Sequence, residues 1–267
     1  MGAVVSILGT RGSVPVNRTD CLRYGGATLC VALRIAGQTV MLDAGTGMLD
    51  LPHLMKPDEK DLSILISHPH LDHLLGLPMC PVLFDPLKTI HIYGANRNGL
   101  TVKEQIQSLM SPPLWPVGPE EIGAKVIFYC LETSLDLGEI HVDVMEGYHP
   151  GGVSLFRVTG EGKSVVYITD CTLTDRMLPQ ITEFAQGCDL LLCDGQYSEE
   201  EWPARSHFGH NTWKAAAELA VASHAKQARI IHHDPFRTDT ELDLAAKELT
   251  RIHPKCTFAY AGEEVIL

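Results

Sequence analysis

Basic residues are scarce: 21 Lys and Arg stand against 33 Asp and Glu, a formal charge of −12. This balance argues against a broad nucleic-acid-binding face, because phosphate backbones are held mainly by clustered Lys and Arg. A small anionic substrate is compatible with it, since a metal can supply positive charge locally. No window of about 18 apolar residues occurs, so no membrane-spanning helix and no membrane partner are expected. The amino terminus MGAVVSILGTRGSVPV lacks the basic stretch and long apolar run of a secretory signal, although Met1-Gly2 and Ser6 fit parts of an acylation pattern. The eight cysteines contain no CxxC pair and no framework of a small secreted scaffold. Reduced thiols in a cytoplasmic protein are the simpler reading. No low-complexity tract or Gly/Ser/Pro-rich linker interrupts the chain, so residues 1–267 are expected to form a single domain.

The 267 residues are 45% hydrophobic, enough to bury a substantial core. Short apolar, β-branched runs recur, among them Val4–Leu8, Thr28–Ile35, Thr39–Asp43, Leu62–Ser67, Thr89–Tyr93, Lys125–Leu131 and Ile140–Met145. The second half repeats them at Val153–Thr159, Ser164–Thr169, Asp189–Cys193, Ala228–Ile231 and Thr257–Tyr260. Tight turns at Ala36-Gly37 and Gly160–Lys163 predict hairpins. Helical patterns fall at Asp72–Leu77, Val102–Met110, Asp175–Ala185, Thr212–His224 and Thr240–Ile252. One-sided helices cover sheets, which gives a layered α/β architecture.

The strongest chemical signal is Ser67-His68-Pro69-His70-Leu71-Asp72-His73, directly after the apolar strand Leu62–Ile66. Imidazole nitrogen and carboxylate oxygen suit zinc and similar divalent ions, and a loop leaving a strand can turn alternate side chains toward one point. His149, Asp170 and His232 each stand where a strand-like run begins or ends, the place where layered α/β proteins gather a site. Asp43 ends a strand before a Gly-rich turn, where its simplest duty is an Asx hydrogen bond. Gly9–Ser13 fits neither the dinucleotide nor the P-loop spacing and reads as a tight loop beside the site.

Leu42-Asp43-Ala44-Gly45-Thr46-Gly47, the HxHxDH run, Tyr148-His149-Pro150-Gly151-Gly152, Ile168-Thr169-Asp170 and Ile231-His232-His233-Asp234-Pro235, in that order along the chain, resemble the metallo-β-lactamase fold superfamily over nearly the whole chain. The resemblance implies a four-layer αβ/βα sandwich. It also implies two divalent ions, zinc or manganese: His68, His70 and His149 would hold one, Asp72, His73 and His232 the other, with Asp170 between them. Asp43 would orient ligands from behind. Asp194-Gly195-Gln196-Tyr197 and Gly209-His210-Asn211-Thr212 are similar to the ribonuclease Z and cyclic-nucleotide phosphodiesterase branch. There an acidic residue and the His of a His-Ser-Thr motif flank the metals; here Asn211 replaces Ser and is expected to cap the following helix.

The chemistry so implied is phosphodiester hydrolysis with Asp72, Asp194 and His210 as catalytic groups. Two ions bring four positive charges, of which Asp72, Asp170 and a bridging hydroxide would cancel three, leaving about +1 for a phosphodiester of about −1. His210, steadied by Asp194, would serve the leaving group. Ribonuclease Z enzymes of this size typically carry a tRNA-gripping arm between the lone His and the bridging Asp. Only 20 residues separate His149 from Asp170. A small phosphodiester resembling a cyclic nucleotide is therefore the expected substrate and nucleic acid the less favoured one. The alternatives are a ribonuclease Z-like endonuclease and a nonenzymatic metal-binding regulator on the same fold. The resemblance also suggests a homodimer, and the Ser111–Pro116 loop could either place Trp115 along a substrate channel or serve plain packing.

Overall fold

A computed structural model describes residues 2–267, so Met1 of the acylation pattern lies outside the described residues. The described residues form two seven-stranded sheets. The first contains β1 (Val4–Gly9), β2 (Cys30–Ile35), β3 (Gln38–Leu42), β4 (Asp61–Ile66), β5 (Thr89–Gly94), β6 (Lys125–Cys130) and the closing β14 (Glu263–Ile266), in the order β14-β1-β2-β3-β4-β5-β6. The second contains β7 (Ser134–Leu137), β8 (Ile140–Gly147), β9 (Val153–Gly160), β10 (Lys163–Ile168), β11 (Leu190–Asp194), β12 (Ala228–Ile231) and β13 (Cys256–Phe258), running from β13 to β7. Each sheet is antiparallel on one side and parallel on the other, with β3 to β6 and β10 to β13 forming the parallel halves.

The alternation of the strands explains the stacking. One face of each sheet meets the other sheet through Val5, Ile7, Leu33, Leu42, Leu65, Phe156, Val165 and Leu192, all buried. The opposite face of the first sheet is covered by short 3₁₀ turns and by α1 (Val102–Leu109). That of the second sheet is covered by α2 (Leu178–Phe184), α4 (Trp213–Ala222) and α5 (Asp239–Ile252). Side chains on both faces of the central strands are therefore apolar, as a doubly covered sheet requires. The result is the four-layer αβ/βα sandwich. A short α3 (Trp202–Arg205) lies between β11 and α4. Both α1 and α5 open on capping boxes, Thr101 with Glu104 and Thr238 with Glu241, which satisfy amide groups the first turn leaves free.

Two expectations need correction. Asp72–Leu77 is not an α-helix; the chain makes separate 3₁₀ turns at Leu71–His73 and Leu77–Met79. Gly76 sets this path, because a Cβ there would lie 2.0 Å from the carbonyl oxygen of Gly45. Asn211 does not cap α4. Thr212 does, accepting from the Ala215 amide. Asn211 instead accepts from the Leu173 amide at 2.8 Å and donates to the Cys171 carbonyl, binding the loop after β10 to the segment that carries His210. Of the two roles open to Trp115, packing is the one found: it lies against the core beneath the first sheet and does not line the cavity at the site.

Candidate dinuclear metal site

Six chain segments leave strand ends at one rim of the sandwich, and each delivers a candidate site side chain. His68, His70, Asp72 and His73 follow β4; His149 follows β8; Asp170 follows β10; Asp194 closes β11; His232 follows β12; Asp43 follows β3. Three of these residues leave their strands in the left-handed backbone region, Asp43 at φ 59°, Asp170 at φ 46° and His232 at φ 62°. Such a conformation costs a non-glycine residue about 1–3 kcal/mol and persists where the surrounding structure over-determines it. Here the reversal swings each side chain out of its sheet and into the rim.

On one side, His68 Nε2 lies 2.9 Å and His149 Nε2 lies 3.1 Å from His70 Nδ1. Asp170 Oδ2 stands 3.7 Å from His68 Nε2 and 3.8 Å from His149 Nε2. On the other, His232 Nε2 lies 3.0 Å from Asp72 Oδ2 and 3.2 Å from Asp170 Oδ1. His73 Nε2 is 3.4 Å from Asp72 Oδ2 and 3.3 Å from the same Asp170 oxygen. The two carboxylate oxygens of Asp170 thus face different histidine groups.

This donor set fits metal ions. Nitrogen ligands on a tetrahedral zinc at about 2.0–2.1 Å lie about 3.3 Å from each other, close to the spacings here. The buried Nε2 of His73 has no hydrogen-bond partner among the described residues, as expected of a lone pair reserved for a cation. Burial lowers the pKa of His68, His70 and His149, favouring the neutral imidazole that metals bind. Burial also opposes charge on His73, but the Asp72, Asp170 and Asp43 carboxylates outweigh it and raise its pKa. In the same group, burial disfavours ionised Asp72, yet His73 and His232 hold its carboxyl well below the usual range.

The remaining ring nitrogens are fixed from behind, which selects the tautomer. His149 Nδ1 donates to the Gly209 carbonyl at 3.0 Å. His73 Nδ1 donates to Asp43 Oδ2 at 2.7 Å, and the Ser67 hydroxyl donates to that same oxygen at 2.8 Å. With its proton committed, Ser67 Oγ is left to accept from His68 Nδ1 at 3.0 Å. Asp43 therefore grips His73 and Ser67 and does not brace its own turn by an Asx bond. The Gly9–Ser13 loop does lie beside the site: the Ser13 amide donates to Asp72 Oδ2 at 2.7 Å. At Gly12 a Cβ would come within 2.3 Å of the His232 ring, so only glycine lets the loop pass.

His210 and Asp194 form the adjoining pair, Nδ1 donating to Oδ2 at 2.8 Å. The His210 ring stacks on His232 at 4.9 Å. A cavity of about 260 Å³ opens over this point, lined by Ser13, His70, His149, Tyr197, Phe208 and His210. Tyr167 was not anticipated: it is fully buried in β10 and donates its hydroxyl to Asp43 Oδ2 at 2.7 Å. A tyrosine within the apolar run Val165–Ile168 is the available signal, because a buried phenol needs a partner.

Comparison with known proteins bears on this arrangement. Residues 38–233 match the family described as beta-lactamase superfamily domain, a stretch running from before Asp43 to beyond His232. Ribonuclease Z of Pyrococcus furiosus is 26% identical over 265 residues, covering 82% of this chain and 84% of that protein. Among solved structures, the metallo-β-lactamase fold protein YhfI of Bacillus subtilis is similar at a TM-score of 0.75 and 20% identity, with 99% of each chain covered. A diphosphatase of the PhnP family is similar at 0.71 and 18% identity, over 100% of this chain and 98% of that one. At these identities the two structures share a fold with this chain.

Proposed function

The chain belongs to the beta-lactamase superfamily domain family, and from that premise we propose that it is a dinuclear metal-dependent phosphodiesterase for a small, cyclic-nucleotide-like phosphodiester. The observation that carries this reading is Asp170, whose two oxygens face two separate histidine groups beside the His210–Asp194 pair. His68, His70, His149 and Asp170 would hold one ion, and Asp72, His73, His232 and Asp170 the other. Such ions supply Lewis acidity toward a phosphoryl oxygen and make water a better nucleophile near neutral pH.

The chain's own residues do the rest. Among the residues that would hold the ions, Asp72 and Asp170 bring two negative charges, fewer than the four positive charges of two divalent ions, which would leave the loaded centre attractive to a phosphodiester anion. With Nδ1 committed to Asp194, His210 presents Nε2 to the cavity, where it can deliver a proton to the departing oxygen. The cavity lies at the small end of ligand sites, which favours a compact diester.

A second reading, cleavage of RNA, is favoured by the relative named ribonuclease Z. Against it, the stretch between His149 and Asp170 is filled by β9, the Glu161-Gly162 turn and β10, with no arm to grip tRNA. The net charge of −12 counts the same way. Purified protein loaded with zinc or manganese should be assayed against cyclic mononucleotides, linear dinucleotides and a tRNA precursor. Turnover of the first class is expected. Cleavage of the precursor alone would replace this reading with the second, and turnover of none would favour a nonenzymatic metal-binding protein.

A further inference from the structure

Tyr197 sits on the segment between β11 and α4, pinned by its backbone to the stretch just after His210: its amide donates to the Asn211 carbonyl and its carbonyl accepts from the Trp213 amide, each at 3.1 Å. Its ring stands edge-on to the His210 ring at 5.9 Å and beneath the Arg205 guanidinium at 5.0 Å. Arg205 is itself held by Asp234 at 2.9 Å. The residue is only 5% exposed, yet it lines the cavity over the candidate metal site.

A phenol this buried ordinarily finds a partner inside the protein. Tyr167 does so with Asp43 and Tyr24 with Asp243. The Tyr197 hydroxyl has none among the described residues, and it is not among the sealed polar atoms left unsatisfied. The hydroxyl is thus left free of internal partners on a residue that lines the cavity. Burial pushes its pKa up to about 12, so the group is a donor throughout the neutral range.

This inference rests on the phosphodiesterase reading of the same cavity. Hydrolysis leaves the diester's two non-bridging oxygens charged throughout, and His210 is placed for the departing bridging oxygen. We infer that the Tyr197 hydroxyl is a substrate-binding group that donates a hydrogen bond to a non-bridging phosphate oxygen. No covalent step is involved. The phenol keeps its proton, which separates its duty from that of His210.

Tyr197→Phe tests this, because it removes one oxygen and keeps the ring under Arg205. The metal-loaded variant should lose roughly ten- to hundredfold in kcat/KM, the usual worth of a hydrogen bond to a charged group. The loss should be equal for bis(4-nitrophenyl) phosphate and for a cyclic mononucleotide, since the contact does not involve the leaving group. Inorganic phosphate, titrated calorimetrically into the same protein, should bind about tenfold more weakly than to wild type, with metal content and melting temperature unchanged. Wild-type kinetics and phosphate affinity in the variant would overturn the inference. So would a loss confined to the poor leaving group, or a loss of metal. Should wild type hydrolyse no phosphodiester, the functional reading fails first, and the phosphate titration still decides Tyr197: equal affinity in the two proteins, or no binding to wild type, refutes it.

Discussion

Asp43 Oδ2 accepts from His73 Nδ1 at 2.7 Å while Asp43 itself occupies a left-handed backbone position at the end of β3. The same oxygen receives the hydroxyls of Ser67 and Tyr167, and Oδ1 receives the Ser67 amide. All of these groups are buried, so the network has no water to replace a lost partner. Asp43→Asn keeps the shape but removes the negative charge and one acceptor. Metal affinity is expected to fall about 10–100-fold, the usual effect of losing a partner behind a ligating histidine. Chelator-competition titrations measure it, and unchanged affinities for both ions would show that Asp43 only supports the fold.

Asp170→Ala should weaken both ions together and abolish turnover, because its two oxygens face both histidine groups. Elemental analysis of carefully reloaded protein should return close to two ions per chain for wild type. A variant retaining one ion at full affinity and full activity would eliminate the shared role.

The metal-free chain should show a distinctive pH dependence. Burial opposes charging His232, but Asp170, Asp72 and Asp194 prevail and push its pKa up to about 9, above the ordinary value near 6.5. A raised histidine contributes stability that is fully present below about pH 6.5 and is lost as pH climbs through about 9. Asp170 acts in the opposite sense: its carboxyl is held well below the usual range, so its contribution is present above about pH 4 and lost in acid. Chelator-treated protein should therefore melt at progressively lower temperature between about pH 6.5 and 9. Loading should reverse the trend, since ligands must shed protons to bind a cation. A melting temperature that rises with pH in the chelated protein would contradict the His232 assignment.

The layered fold was legible because each strand carried its own apolar run, and twelve expected strands reappear with shifts of a residue or two at their ends. Two were missed for physical reasons. Ser134–Leu137 and Glu263–Ile266 lie at sheet edges or mix charged and apolar residues, so their pairing is set by neighbours and not by local preference. The mistaken helix at Asp72–Leu77 had suitable residues, but the chain must bend there to bring Asp72 and His73 inward. At the site, the His and Asp residues were visible as motifs, whereas Tyr167 and the working partners of Asn211 were not. Their roles arise from contacts across 124 residues of chain in the first case and 38 in the amide bond of Asn211, which no local pattern records.

His210 offers the cleanest separation of chemistry from metal binding. Its Nδ1 is committed to Asp194, and its ring lies against His232 without replacing it in either histidine group. His210→Ala should keep metal content and fold yet lose about 10²–10⁴-fold in turnover, the range for a positioned acid–base group. The size of the loss should depend on the ester. A nitrophenolate leaves with little need of a proton, whereas a ribose alkoxide needs one as the bond breaks, so the variant should approach wild type on the first and be crippled on the second. Tyr197→Phe should show no such discrimination, because its contact is to the phosphate itself. Equal losses on both esters for His210→Ala would assign the imidazole to substrate binding, and a fall in bound metal would make it a ligand.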